Sequence, residues 1–153
     1  MAQFVFLVHH AEAVSADVDH MRPLSTRGQE QAARVAEAAA RRGAKPAVIW
    51  HSGKLRARQT AEAWLRLVNP FATFTAVRGV QPDDDPETIV TALLGEEQHI
   101  AIASHMPFLP SLLHRLITGR RDHLSAEFPL NGCVALERAG DRFEERWRVS
   151  PDD

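Results

Sequence analysis

The sequence predicts one α/β domain over residues 1–153, with a mostly parallel central sheet of about six strands and helices on both faces. Three observations lead to this fold class. The length is that of a single domain. Short apolar runs rich in Val, Ile and Phe alternate with segments of helical periodicity. No linker, repeat or low-complexity tract divides the chain, and strands that alternate with helices form parallel sheets covered on both faces.

The first half of the chain contains three predicted strands and two predicted helices. Residues 4–8 are consecutive apolar residues, as in a strand buried on both faces. After a polar connection over residues 14–23, a helix begins near Thr26 in a capping-box pattern and ends at Gly43. A second strand covers residues 47–50. Ser52 is a suitable N-cap for the next helix, which ends before Pro70, and a weaker third strand covers residues 73–77.

The second half contains two further helices and three strands. Asp85, Pro86 and Glu87 supply an N-cap, a proline and an acid, so a helix is expected to start there and to end at Gly95. A fourth strand covers residues 99–103, and the apolar stripe that follows predicts a helix closed by Gly119. The last two strands, at about residues 132–137 and 143–149, are joined by a turn at 139–141 and are expected to form a hairpin.

Charge, hydropathy and cysteine content exclude several classes of function. A net charge of −2 implies no attraction to nucleic acid or to a membrane, and no segment is long and apolar enough to span a bilayer. The N-terminal apolar run is too short for a signal peptide, so we expect a cytoplasmic protein. We also expect a monomer. Cys133 is the one cysteine, which excludes an internal disulfide or a zinc-thiolate cluster and is typical of a small buried hydrophobe.

Polar side chains follow three of the predicted strands at the points where the strands end. In an open α/β sheet, ligands bind beyond the carboxyl ends of the strands. Imidazoles, a guanidinium and the free N–H groups of helix N-termini together suit a phosphate dianion. The residues concerned are His9 and His10, His51 and Ser52, Ser104 and His105, with Arg56 in the helix after the second strand.

These segments resemble the motifs of the histidine phosphatase superfamily, also called phosphoglycerate-mutase-like. The family has Arg-His-Gly or Arg-His-Ala after its first strand, then Ser-Pro-x-x-Arg-Ala-x-x-Thr, then Ser-His or Gly-His before a proline. This chain has VHHAEA at residues 8–13, SGKLRARQT at 52–60 and SHMP at 104–107. The segment RPLSxxG at 22–28 is similar to the SixA-type phosphohistidine phosphatases.

The resemblance implies a phosphoglycerate-mutase-like fold and a phosphatase that works through a phosphohistidine. It makes His10 the nucleophile and His105 its catalytic partner and a phosphate ligand. It implies that no metal or organic cofactor is required. The substrate expected is the phosphohistidine of a protein, or a small phosphate ester, because the short connections leave no lid over the strand ends. The phosphate-binding residues expected are His9, Arg22, Ser52 and Arg56.

The chain departs from the family at two motif positions. Gly53 replaces a common proline, which we expect to be a modest change of the loop. His9 replaces an arginine, and losing a charged hydrogen bond costs about 1.5–3 kcal/mol, or about ten- to a hundredfold in rate. We therefore expect reduced activity, partly recovered if His9 is protonated beside a phosphate or if Arg22 supplies the charge. The candidates for the general acid that protonates the leaving group are Glu12 and Asp83.

Two other functions are compatible with the sequence. One is a pseudoenzyme of the same fold that binds phosphate or a phosphoprotein without turnover, with His9 as the mark of lost catalysis. The other is a metal hydrolase with imidazole ligands. Adjacent histidines on a strand point to opposite faces, so His9 and His10 are not expected to share one ion. The metal ligands in that alternative would be His9, His10, His51 and His105.

Overall fold

A computed structural model describes residues 2–153 as one α/β domain with a six-stranded sheet and four helices. Met1, the first residue of the predicted domain, lies outside the described residues. The elements in chain order are β1 (Phe4–His9), α1 (Thr26–Arg41), β2 (Val48–His51), α2 (Leu55–Leu67), β3 (Thr73–Ala76), α3 (Glu87–Leu94), β4 (Ile100–Ser104), α4 (Phe108–Thr118), β5 (Cys133–Ala139) and β6 (Arg142–Val149).

The sheet is mixed, so the expectation of a mostly parallel sheet was wrong. Its strand order is β3-β2-β4-β1-β5-β6. The pairs β3–β2, β2–β4 and β4–β1 are parallel, whereas β1–β5 and β5–β6 are antiparallel. The reason is local: β5 and β6 form the expected hairpin, and β5 joins the edge of β1 antiparallel. The hairpin thereby adds two antiparallel pairs to the parallel core.

Helices cover both faces of the sheet, as expected, and each face has its own apolar core. Alternate residues of β1 enter the two cores, since successive side chains of a strand point to opposite faces. Val5 and Leu7 pack in the core beneath α3 and α4. Phe6 and Val8 pack in the core beneath α1 and α2, to which α1 contributes mainly small buried alanine side chains.

Helix α1 begins at Thr26, as expected, but the N-caps of three helices differ from the sequence expectations by one or two residues. The cap of α1 is Ser25 rather than Thr26, and its Oγ accepts the N–H of Gly28 at 3.0 Å. Helix α2 begins at Leu55, so Ser52 is not its N-cap and has a different role. Asp85 lies one residue before the N-cap of α3 and still accepts the N–H of Glu87 at 3.0 Å.

The parallel strands bring their carboxyl ends to one edge of the sheet. His9 at the end of β1 is in register with Ser104 at the end of β4, and His51 of β2 is in register with Ala103. The chain segments that follow these strands therefore meet at this edge. Over residues 2–153, no helix has both the length and the apolar character needed to cross a bilayer.

Candidate active site

The two adjacent histidines lie side by side at the end of β1. Strand β1 ends at His9, and His10 lies beyond it, so the alternation of a strand no longer separates the two side chains. Their ring centroids are 4.5 Å apart with 54° between the ring planes. The expectation that they point to opposite faces was wrong for this reason.

The hydrogen bond of His10 fixes its tautomer. Its Nδ1 lies 2.8 Å from the carbonyl oxygen of Ala11, and a carbonyl can only accept, so Nδ1 carries the proton. In a neutral ring, Nε2 then keeps its lone pair. Burial lowers the pKa of His10 to about 4, helped by the positive charges of Arg56 and Arg22 and opposed by the bond to Ala11. His10 is therefore neutral at pH 7.

A buried pair, His105 and Ser52, faces the ring of His10. The ring centroids of His105 and His10 are 5.2 Å apart, and Nε2 of His105 lies 2.7 Å from Oγ of Ser52. Burial lowers the pKa of His105 to about 3, and repulsion between a protonated His105 and His10, Arg56 or Lys54 lowers it further. Its Nδ1 is buried and has no hydrogen-bond partner within residues 2–153. A buried polar atom without a partner is costly, so Nδ1 is suited to a ligand.

Two guanidinium groups add positive charge next to His10. Arg56 is the second residue of α2, and its buried Nε also lacks a partner among the described residues. Burial lowers the pKa of Arg56, and Arg22 lowers it further through like-charge repulsion. Arg22 lies in the connection after β1, where its Nε donates to the carbonyl oxygen of Val14 at 3.1 Å. Two guanidiniums that repel each other favour an anion between them.

His9 is neutral and cannot gain a proton without losing a hydrogen bond. Its Nδ1 accepts the backbone N–H of Asn131 at 2.8 Å, so a proton on Nδ1 would face another N–H group. Burial lowers the pKa of His9 to about 3, with His10 and Arg56 adding repulsion. This geometry opposes the expected recovery of charge by protonation of His9. The neutral ring offers one N–H donor, at Nε2.

Asn131 is a site residue that the sequence analysis missed. Besides its bond to His9, its side-chain Nδ2 donates to the backbone carbonyl of His10 at 2.9 Å, so one residue holds both histidines. Its backbone is left-handed, with φ of 56°, which asparagine tolerates better than most residues. The Asn-Gly pair before the last hairpin was the available signal, because this dipeptide marks such a conformation.

Thr60 ties the segment after β1 to helix α2. Its Oγ1 accepts the N–H of Ala11 at 3.0 Å and donates to the carbonyl of Arg56 at 2.8 Å. The threonine that ends the second motif therefore sets the position of the His10 segment relative to Arg56.

Four polar residues from the sequence analysis lie outside this cluster. His51 packs its ring 4.9 Å from that of Phe74, and Ser104 donates its hydroxyl to the carbonyl of Val80 at 2.6 Å. The carboxylate of Glu12 accepts the hydroxyl of Ser25 at 2.8 Å. Asp83 is exposed before α3. Within residues 2–153, neither acid hydrogen-bonds to a histidine of the cluster, which consists of His9, His10, Arg22, Ser52, Arg56 and His105.

Gly53 is more than a modest loop change. Its φ is +89°, which the ring of a proline cannot adopt, and its N–H donates to Nδ1 of His51 at 3.0 Å. The motif loop of this chain therefore has a backbone conformation that the proline of the family motif would not permit.

Two further features bear on what the site can hold. Over the part of the chain that the structure describes, no three His, Cys, Asp or Glu side chains form a group that could hold a metal ion. A cavity of about 540 Å³ adjoins the cluster at Ser52, and Arg78, Gln81 and Asp84 are among its other walls. There is thus space beside Ser52, the hydrogen-bond partner of His105, for a group larger than phosphate.

Comparisons with known proteins bear on the fold and on the motifs. A family model described as "Histidine phosphatase superfamily (branch 1)" matches residues 5–76, which include the first two motifs. No curated protein sequence matches the chain. The resemblance noted from the motifs is confirmed.

Solved structures show the same fold over nearly the whole chain. The protein histidine phosphatase SixA, complexed with tungstate, is 21% identical with a TM-score of 0.86 and 98% coverage of both chains. A protein of Agrobacterium tumefaciens, provisionally named a phosphohistidine phosphatase SixA, is 25% identical with a TM-score of 0.80 and 99% coverage of both. A phosphoserine phosphatase of Entamoeba histolytica is 13% identical with a TM-score of 0.73 and 97% coverage of both.

Proposed function

The chain shares the fold of the histidine phosphatase superfamily and, over residues 5–76, its sequence signature; on this premise we propose that it is a phosphatase working through a phosphohistidine intermediate. The observation that carries the proposal is the state of His10. Its ring is neutral, its Nδ1–H is bound to Ala11, and it lies among positive charges beside two buried atoms without partners, Nε of Arg56 and Nδ1 of His105.

In the proposed first step, Nε2 of His10 attacks the phosphorus of the substrate. An N–P bond forms while the bond to the leaving group breaks, and the leaving group departs with the bonding electron pair. In the second step, water attacks the phosphohistidine, releasing inorganic phosphate and restoring the neutral ring. Each displacement is easier than direct hydrolysis because a good nucleophile and a good leaving group take part.

The remaining cluster residues would hold the phosphoryl oxygens. Phosphoryl transfer needs mainly positioning and positive charge, which the guanidiniums of Arg22 and Arg56 supply. In this arrangement the Ser52 hydroxyl donates a hydrogen bond to Nε2 of His105. The ring of His105 then carries its own proton on Nδ1, which is a hydrogen-bond donor for phosphate. Nε2–H of His9 adds one neutral donor. This weaker donor is why we expect activity below that of an arginine-containing site.

We propose the phosphohistidine of a protein as the substrate. Neither Glu12 nor Asp83 is held on the histidines, and Glu12 is bound to Ser25 and lies 3.7 Å from Arg27. A site without a placed acid favours leaving groups that need little protonation. A phosphohistidine whose other ring nitrogen is protonated releases neutral imidazole and needs no acid, whereas a leaving alkoxide has to be protonated. The structural likeness to a protein histidine phosphatase supports the same class. A small aryl phosphate, whose leaving group is also good, is the expected artificial substrate.

The test is to trap the intermediate and map it. Protein mixed with ³²P-labelled phosphohistidine peptide is quenched in alkali, where phosphohistidine survives, and then digested. We expect label on His10, with loss of both label and turnover in His10→Ala. The matched control is His20→Ala, because His20 is exposed in the connection after β1. Label on another residue, or turnover by His10→Ala, would contradict the proposal.

The second candidate function, a phosphate-binding pseudoenzyme, is favoured by the buried neutral ring of His9. The pseudoenzyme hypothesis predicts a different result in the same trapping experiment. Wild-type protein would carry no label and turn over neither peptide nor aryl phosphate. It would still bind tungstate, with affinity lowered at least tenfold in Arg56→Gln.

A further inference from the structure

A second cavity, of about 540 Å³, lies at the edge of the sheet opposite the histidine cluster. Its walls come from the start of β1, the connection between α1 and β2, the residue before β4, and β6. These are the amino-terminal ends of the parallel strands, whereas the phosphate cluster lies at their carboxyl ends. The volume is within the range of pockets that bind small ligands.

Aromatic rings form much of the wall of this cavity. Phe4 and Phe6 are stacked, with centroids 6.2 Å apart and 14° between their planes. The ring of Trp147 lies 5.9 Å from that of Phe6 and is only partly buried. Phe6 is only 3% exposed, so the partly exposed rings of Phe4 and Trp147 are the surface that an occupant would contact, and such a surface favours a flat ring.

Cationic side chains form the rest of the rim. Arg146 is neutralised by Glu137 and Glu144, at 2.6 and 3.0 Å. Arg42 and Lys45 form no ion pair with any residue of the 2–153 range, and the guanidinium of Arg42 lies 5.4 Å from the ring centre of Trp147. No carboxylate is among the described residues that line the cavity. The two unpaired cations repel a cationic ligand and attract an anion.

His99 adds a hydrogen-bond donor at the same wall. Its Nδ1 accepts the backbone N–H of Phe4 at 3.0 Å, so the neutral ring carries its proton on Nε2. Flat apolar surface, two free positive charges and one N–H donor are thus combined in one cavity.

We propose that this cavity is a binding site for a small planar aromatic anion. The aromatic part would stack on the partly exposed rings of Phe4 and Trp147, and the negative group would bind to Arg42 and Lys45. A neutral aromatic would lose the ionic contacts, and an aliphatic anion would lose the stacking. The site is separate from the phosphate cluster and does not depend on the proposed phosphatase activity.

The probe for the test is 8-anilinonaphthalene-1-sulfonate, a planar aromatic anion that has no phosphoryl group to transfer. Its binding is followed by fluorescence and by shifts of the Trp147 indole N–H signal, assigned with Trp147→Phe. We expect saturable binding at one site that tungstate, a ligand for the phosphate cluster, does not displace. The neutral parent, N-phenyl-1-naphthylamine, should bind at least tenfold more weakly.

Matched charge variants locate the site. Arg42→Gln/Lys45→Gln should weaken binding of the sulfonate at least tenfold. The control Arg34→Gln/Arg41→Gln removes two exposed charges of α1 that do not line the cavity and should bind like wild type. Near-ultraviolet circular dichroism verifies that all variants are folded. Equal binding by the two double variants, displacement by tungstate, or no shift of Trp147 would overturn the proposal.

Discussion

At residue 9, a neutral imidazole stands where the family motif has a guanidinium. We expect His9→Arg to raise kcat/KM for an aryl phosphate by about ten- to a hundredfold. The reason is that a hydrogen bond from a charged donor stabilises the transition state by about 1.5–3 kcal/mol. The same change removes the acceptor of the Asn131 N–H, which should lower the free energy of unfolding by about 1 kcal/mol. Steady-state kinetics and urea unfolding measure the two effects.

The control for this prediction is His9→Asn. The amide oxygen of asparagine can accept the N–H of Asn131 as Nδ1 of His9 does, but it supplies no charge to the substrate. Its rate should therefore stay at or below that of wild type. A folded His9→Arg protein that is no faster than wild type would show that residue 9 does not limit turnover.

Asn131 should act as a positioning residue, and two substitutions separate its roles. Asn131→Gly keeps the left-handed backbone and the N–H bound to His9, but removes the side-chain bond to His10. We expect about a tenfold loss in kcat for an aryl phosphate, with little change in KM, because His10 is held less firmly.

Asn131→Ala should lose as much kcat as the glycine variant but more stability, by about 1 kcal/mol, since alanine is strained at φ of 56°. Kinetics and urea unfolding of the pair give the comparison. Equal kcat in wild type and both variants would contradict a role in positioning His10.

At the scale of elements, α1 lies against the segment after β1 most closely at Gly28. A Cβ added to Gly28 would lie 1.9 Å from the carbonyl oxygen of Glu12, a backbone atom that cannot move independently. We expect Gly28→Ala to lower the free energy of unfolding by more than about 2 kcal/mol, because α1 must shift away from the sheet. Thermal and urea unfolding measure this loss.

Gly95→Ala is the matched control for Gly28→Ala. Gly95 follows α3 with a negative φ, and a Cβ there would make only ordinary contacts at 3.6 and 3.7 Å. Its substitution should change stability by no more than about 1 kcal/mol, in the stabilising direction. Similar losses in the two variants would mean that the contact of Gly28 with Glu12 is not responsible.

The types of all ten elements followed from apolar periodicity, because each helix or strand has enough local pattern to define it. The helix caps were less predictable. Ser52, Thr26 and Asp85 each lie near a helix start, but the hydroxyl of Ser52 is bound to His105, a residue 53 positions away. A cap preference cannot compete with a contact that only tertiary structure creates. For the same reason, the antiparallel pairing of β5 with β1 was not visible in the hairpin itself.

For the whole molecule, the convergence of the site residues that follow parallel strands could be predicted from the sequence. His10, Ser52 and His105 converge because the carboxyl ends of such strands share one edge. Asn131 comes from the antiparallel part of the chain, and its bonds to His9 and His10 span more than 120 residues. No periodicity records such contacts. The neutral state of His9 was equally hidden, since it depends on the N–H that Asn131 supplies.

The buried imidazoles should make the stability of the whole molecule depend on pH. Folding lowers the pKa of His9 to about 3, of His10 to about 4 and of His105 to about 3, from the ordinary 6.5. Below pH 6.5 the unfolded chain therefore binds protons that the folded chain does not. Stability is complete above about pH 6.5 and falls as the pH decreases toward 3–4, by at most about 1.4 kcal/mol per pH unit for each histidine.

We expect the free energy of unfolding in urea to be about 2–4 kcal/mol lower at pH 5.5 than at pH 7.5, since three imidazoles take part. His9→Asn should reduce this difference by about 1 kcal/mol, because one buried base is removed while the acceptor for Asn131 remains. His20→Asn is the control, as its side chain is exposed. An equal pH dependence in His9→Asn and wild type would mean that His9 is protonated in the folded protein, and the neutral donor proposed for the phosphate site would have to be abandoned.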